Sequence, residues 1–408
     1  MDPRLTTSSP DVRSLDAAEA ARVRAQVLTV LPPALAPVFD ERFTRSSMLF
    51  DEYVYRLALQ VVGQAGIGAA LETWRDVDEV IARAGLDARC SRVPVDWLLR
   101  HLAAYGAIER QDAMPARFRA AGPLPAPDPA PVLEEQQRHD ASCAPSYTLA
   151  ATAARDYPAF LAGARAGDEI LFAPARLPMW VGYFSNDNPL YAVNNRVGAV
   201  ALETWMPTGA ATILELGGGL GSGAAAVLER LAAAGRLGDV KEYRFTELVG
   251  AFMRRAERRL RESFPGAPLA VAPLDMNRGF AEQGVAPASM SVVYAVNTLH
   301  VAHDLGFTLG EIRRVLVPGG RLVVSECIRP FPGRTLYTEF VFNLLETFRA
   351  PRLHPDWRPN GGFLTPEQWT AALERAGFVD VRVLPDIARM RERFAGFYVA
   401  ALGATWPG

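Results

Sequence analysis

Two residues in the last third of the chain are of the types that move a proton. His300 closes the stretch "NTLH" and Glu326 closes "VVSE", each directly after an apolar run. A neutral imidazole can take a proton from an acceptor when a carboxylate holds its other nitrogen. Three further acids stand in related settings. Glu215 lies in "ATILEL", just before the glycine-rich "GGGLGSG"; Glu247 lies in "FTEL" and Asp275 in "PLDM". Five glycines in seven residues mark a backbone that turns tightly or lets something approach closely.

The glycine stretch can be parsed in two ways. Gly219, Gly221 and Ala224 make GxGxxA, the pattern of a dinucleotide site, which is weak on its own. Glu215, Gly217, Gly219 and Gly221 make acid-x-Gly-x-Gly-x-Gly. A carboxylate there suits a cationic amine and would repel a pyrophosphate. Glu247 can accept from ribose hydroxyls. Asp275 can accept from an adenine amino group, with Met276 packed on the ring and Leu248 beside it. A nucleoside bearing a positively charged amino acid is S-adenosylmethionine, and this parse is preferred.

These residues need a scaffold that brings strand ends together. From residue 211 onward, apolar runs of strand length alternate with helical patterns: "ATILEL", "EYRFTEL", "APLAVAPLDM", "MSVVYAVN" and "PGGRLVVSE" are the strands. Such alternation predicts a doubly wound, mostly parallel sheet with helices on both faces. "FVDVRVL" and "GFYVAALG" stand only 11 residues apart, too close for a crossover helix. They are expected as an antiparallel pair at one sheet edge, completing seven strands. In such a sheet, ligands sit at the carboxyl ends of the strands, where the strand order reverses.

Ahead of the sheet the pattern is helical. Helices are expected over 48–72, 76–86 and 93–111, with Pro94 in a first turn, followed by a small β-wing over 108–122. Helix, helix and wing suggest a winged-helix module. The third helix's stretch "VPVDWLLRHLAAYG" carries only one arginine and one histidine among apolar residues, too little for phosphate contacts along DNA. Five prolines within 120–137 mark a stiff linker. Further helices are expected near 145–165 and 189–206, and residues 1–20 as a tail or swapped arm. The resulting division is 1–130 winged-helix domain, 131–205 linker and lid helices, and 206–408 cofactor-binding domain.

The ordered set "ILELGGGLGSG", "YRFTEL", "LDM", "NTLHVAHDL" and "LVPGGRLVVSE" resembles the motifs of class I S-adenosylmethionine-dependent methyltransferases. More narrowly, it is similar to the carbon-methyltransferase domains of polyketide synthases and related stand-alone enzymes. The front half, with "GIGAALE" and "LLRHLAAYGAIE", is similar to the dimerisation domain of small-molecule O-methyltransferases. The first likeness implies methyl transfer to carbon, the second transfer to oxygen and a homodimer. O-methyltransferases of that kind carry a further acid in a "GGxER" segment. Here Phe363 and Leu364 stand in its place in "NGGFLTPEQW", which counts against a phenol-type mechanism.

The expected function is methylation of a small secondary-metabolite or polyketide-like acceptor, free or carrier-bound. His300 is the base, Glu326 its support, and Asn297 a further residue of the cofactor site. Trp180, Tyr183, Tyr191 and Phe340 are candidates for the acceptor pocket, and His303 is expected to face solvent. A dinucleotide-dependent oxidoreductase and a non-catalytic S-adenosylmethionine sensor are the alternatives. Net charge is −2, which leaves no footprint for nucleic acid. The basic run "RRAERRLRES" reads as a solvated helix face. No apolar segment reaches membrane-spanning length. Three scattered cysteines and five histidines without ligand spacing point to a reducing, cytoplasmic setting and no metal.

Overall fold

The computed structural model describes residues 17–393, 396 and 398–408. Most of the tail or arm expected over 1–20 lies outside these residues; Ala17–Leu28 forms a helix. The chain builds a seven-stranded sheet in the order β5-β4-β3-β6-β7-β9-β8. β3 (Ala211–Leu216), β4 (Val240–Thr246), β5 (Leu269–Ala272), β6 (Met290–Val296) and β7 (Leu316–Cys327) run parallel. The closing strands β8 (Val379–Leu384) and β9 (Val399–Thr405) pair antiparallel to each other. β9 also pairs antiparallel with β7, so of this pair only β8 lies at an edge of the sheet. Burial explains the order: every residue of β9 is buried, whereas β8 has none fully buried.

The helix Pro189–Trp205 lies against β7 and β9 at close range. Two glycines permit this. A Cβ on Gly198 would come within 2.4 Å of the Tyr294 hydroxyl, and one on Gly403 within 2.4 Å of the Trp205 ring.

The front helices form as their sequences dictate, with shifted ends. The first runs Glu41–Gln64, seven residues earlier than expected, because Asp40 caps it by accepting from Phe43 N at 2.7 Å. Val77–Ala84 opens with a capping box of Asp76 and Glu79 and stops at left-handed Gly85. The next helix is Ala88–Ala104, so Pro94 sits in its interior and not in its first turn. Proline cannot donate to the carbonyl four residues back; that carbonyl, Cys90 O, accepts instead from Arg349 Nη1 at 3.3 Å. β1 (Glu109–Gln111) and β2 (Arg117–Arg119) make the expected hairpin, which Arg75 extends by a bridge to Phe118. The proline-rich linker is shorter than its sequence suggests, since a helix starts at Ala130.

Candidate active site

The strand order reverses between β3 and β6, and the glycine loop leaves β3 at that point. Gly217 and Gly219 adopt φ of 60° and 57°, where a side chain is strained. A Cβ on Gly217 would fall 2.5 Å from Thr298 Cγ2, whereas around Gly219 nothing lies within 4 Å. The loop therefore packs on one side and bares its backbone on the other. Behind it, Glu247 accepts from Gly219 N at 2.8 Å and from Val249 N at 2.7 Å. Leu248 beside it is 64% exposed, a bare apolar surface at the loop.

Glu215 is buried beneath the loop. Its Oε2 accepts from the Tyr243 hydroxyl at 3.0 Å, and its Oε1 would lie 2.8 Å from a Cβ on Gly223. Burial, opposed by the Tyr243 bond and aided by nearby Glu247, pushes its carboxyl up to about 8. Asp275 stands three residues beyond β5, half-buried, with Oδ1 accepting from Asn277 N at 2.9 Å. Gln283 fixes the same turn by accepting from Asp275 N at 2.8 Å, and Met276 packs partly buried beside it.

Glu326 and His300 meet at the ends of adjacent strands. His300 Nδ1 lies 2.6 Å from Glu326 Oε2. Glu326 Oε1 accepts the backbone N–H groups of Thr298 (3.1 Å), Leu299 (2.9 Å) and His300 (3.3 Å). Glu326 is fully buried and His300 nearly so, with Phe363 at 4.6 Å and Phe348 at 5.7 Å between ring centroids. Among the described residues Nε2 of His300 has no protein partner. A histidine oriented at one nitrogen and free at the other is poised to take a proton. Phe363 packs against this ring, with Leu364 buried beside it in sequence. His303 is exposed.

The remaining candidates divide by burial. Asn297 adopts φ 47°, and its Oδ1 accepts from Asn194 Nδ2 at 3.2 Å and Cys327 N at 3.1 Å, tying β6 to β7 and the covering helix. Tyr183 and Tyr191 are half-buried, with ring centroids 5.5 Å apart, and Tyr191 lies in the field of Glu215 and Glu247. Trp180 and Phe340 sit in packed core. Trp180 donates to Leu171 O at 2.7 Å, and Phe340 lies 4.9 Å from Tyr157 and 5.8 Å from Trp97. No group of three or more histidines, cysteines or acids among the described residues could hold a metal ion. No helix among them is long and apolar enough to cross a membrane.

Sequence reasoning passed over two residues of this centre. Thr298 packs its side chain against Gly217, with its hydroxyl 2.9 Å from Val296 O and 3.3 Å from Gly217 O, and donates its amide to Glu326, so it couples the glycine loop to the His–Glu pair. Its position inside "NTLH" was the available signal. Arg358 is fully buried and donates Nη2 to His300 O, while its Nε and Nη1 have no partner among the described residues. Burial lowers it to about 10, and Glu326 opposes the fall. A single arginine in "HPDWRPN" carries no periodicity that could have marked it.

Residues 218–324 match the family described as "Methyltransferase domain". With the sheet order and the loop, this gives the chain the fold of class I methyltransferases. Within that class it is similar to polyketide-synthase carbon-methyltransferase domains. Polyketide synthase PksR of Bacillus subtilis is 29% identical over 239 residues, 57% of this chain and 9% of that protein. The chain thus spans under a tenth of the length of its first curated relatives. The crystal structure of the CurJ carbon methyltransferase superposes with TM-score 0.73 at 22% identity, covering 96% of this chain and 98% of that one. The trans-methyltransferase CalH, solved in complex with SAH, gives TM-score 0.58 at 22% identity, covering 88% of this chain and 90% of that one.

Proposed function

We propose that this protein methylates a carbon acid, a carbon flanked by carbonyl groups in a polyketide-like acceptor, free or held as a thioester on a carrier. The observation that carries this reading is the His300–Glu326 pair, one threonine away from the glycine loop. The residues at the loop suit the cofactor: Gly219 faces open space, Leu248 is bare, and Glu247 and Asp275 are acceptors at neighbouring strand ends. In this reading Glu247 holds the ribose, Asp275 and Met276 the adenine, and Glu215, which keeps its proton in the cofactor-free protein, becomes a carboxylate beneath the loop only when the cofactor's cationic amine lies above it. When bound, the cofactor supplies a methyl group on a sulfonium that departs as a neutral thioether.

His300 Nε2 would remove the proton from the acceptor carbon, leaving its electron pair as an enolate able to take the methyl group that the cofactor would supply. The proton stays on the imidazole, where Glu326 stabilises the charge through Nδ1–H and is itself held by three amides. Phe348 and Phe363 exclude water around this ring. Tyr183 and Tyr191 line the acceptor's side. Carbon is favoured over oxygen because an apolar phenylalanine, not a second acid, flanks the base.

The test is mass-spectrometric. The protein is incubated with trideuteromethyl-labelled S-adenosylmethionine and acetoacetyl N-acetylcysteamine thioester. Label on the carbon between the carbonyls supports the reading, and label on oxygen or none refutes it. The same reading divides the chain near 130 and 205: the helix Ala144–Leu161 packs on Glu41–Gln64, whereas Pro189–Trp205 packs on the sheet. It also takes the enzyme as cytoplasmic, in keeping with three free cysteines, and as a homodimer, which light scattering would check.

A further inference from the structure

A cavity of about 530 Å³ opens between the helix Ala88–Ala104 and the segment that follows β7. Five arginines line it (Arg92, Arg100, Arg329, Arg334 and Arg349) against one carboxylate, Asp96. Three of the five are compensated: Arg92 by Asp78 at 3.1 Å, Arg100 by Asp96 at 2.8 Å, and Arg329 by buried Glu339 at 3.0 Å. Arg334 and Arg349 have no carboxylate partner among the described residues. Two more donors on this wall lack acceptors. Asn343 is 2% exposed, and its Nδ2 is unpartnered among the described residues, as is the buried Nε of Arg349.

Buried donors in folded proteins are nearly always matched by acceptors. A wall of unmatched donors with surplus positive charge calls for a ligand that is all acceptor and negatively charged. Arginine favours planar, bidentate recognition of carboxylate or phosphate oxygens. The cleft is also connected to the reacting centre, because Phe348 forms part of its lining and lies against the His300 ring.

We propose that this cleft seats the phosphate ester of an arm that carries the acceptor, so that the acyl end reaches past Phe348 to His300. The proposal rests on the reading of the acceptor as a tethered thioester and names where the tether binds. Arg334 and Arg349 hold the phosphate oxygens, and Asn343 Nδ2 donates to the arm.

The experiment compares acetoacetyl-phosphopantetheine with acetoacetyl N-acetylcysteamine, which lacks the phosphate, as substrates of the full chain. The wild-type protein is expected to prefer the phosphate-bearing thioester by about tenfold or more in kcat/KM, through KM, the size of one or two charge-assisted hydrogen bonds. Arg334→Ala and Arg334→Glu are expected to abolish that preference. Arg334 is half-buried without a side-chain partner, so neither change should disturb folding, and thermal midpoints check this. A preference that survives both substitutions, or none in the wild type, overturns the proposal. Inhibition by inorganic phosphate as strong as by phosphopantetheine would likewise overturn the arm as occupant. If the wild type methylates neither thioester, the methyl-transfer reading fails, and calorimetry with phosphopantetheine alone decides the cleft. Binding lost in Arg334→Glu supports it; equal binding sinks it.

Discussion

Glu326 holds His300 twice, at the ring through Nδ1 (2.6 Å) and at the backbone amide (3.3 Å), from the end of a neighbouring strand. The same carboxylate takes the amides of Thr298 and Leu299, so the turn that carries the histidine is built on its partner.

Removing the proposed base should therefore separate chemistry from binding. His300→Ala is expected to lower kcat by roughly 10²–10⁴-fold, the usual range for a general base. Calorimetric affinity for S-adenosylhomocysteine should stay within about twofold of wild type. Glu326→Gln should lower kcat too, because its amide keeps one acceptor where the carboxylate offers two. A His300→Ala enzyme with intact turnover would remove the histidine from the mechanism.

Glu247 is expected to act on the cofactor side. It holds Gly219 N and Val249 N, and its loss releases the loop as well as the ribose acceptor. Glu247→Ala should weaken S-adenosylhomocysteine binding by about 10–100-fold, given about 1.5–3 kcal/mol for a hydrogen bond to a charged group. Asp275→Ala should weaken it less, since Asp275 is half-buried and sits in a self-bonded turn. Titration calorimetry on both variants would show the order, and equal affinities would contradict it.

Glu215 makes the cofactor-free protein sensitive to pH. Its folded value, about 8, is raised far above that of the unfolded chain. Between pH 5 and 8 the folded state keeps a proton that the unfolded chain has released. Stability from this group is thus present below the unfolded value and is lost as pH rises through the folded one. The loss is on the order of 1 kcal/mol per pH unit. Glu215→Gln, which keeps an acceptor for Tyr243, should flatten the fall in thermal midpoint over this window. Parallel curves for the two proteins would show that Glu215 is not the group.

Gly198→Ala tests the seat of the covering helix on the sheet. Its added methyl would meet the Tyr294 hydroxyl at 2.4 Å and Ser325 Cβ at 2.9 Å. Overpacking of this kind costs about 1–3 kcal/mol, read as a lower urea midpoint with an unchanged slope. Gly209→Ala is not a matching control, because Gly209 has φ 90°. Gly63→Ala is, with no atom within 4 Å and ordinary helical backbone, and it should not destabilise.

Glu339 is the keystone between the front helices and the sheet. It is fully buried and bonds Arg329, Trp97 Nε1 (3.0 Å) and Leu336 N (2.9 Å). Glu339→Ala leaves Arg329 half-buried without its partner, and a loss of about 3–5 kcal/mol follows from breaking such a pair. Chemical denaturation would measure it; a loss under about 1 kcal/mol would show that solvent relieves the arginine.

The linear order of residues determined the strands, the glycine turn and the acids at three strand ends. These are local matters: apolar runs of strand length, backbone that only glycine adopts, and side chains adjacent to both. It also determined that His300 and Glu326 follow successive strands, so their meeting was legible once a parallel sheet was inferred. Helix starts were misread where a cap lay upstream of the apolar pattern, as at Asp40, or where a proline sat inside a helix, as at Pro94. Tertiary structure alone decided which aromatics face a site and which are core, since Trp180 and Tyr183 share one short helix and only burial separates them. It alone brought Arg358 to the carbonyl of His300, and Arg349 to the carbonyl that Pro94 leaves free. Those contacts join segments far apart in sequence, and side-chain types carry no record of a partner that only packing supplies.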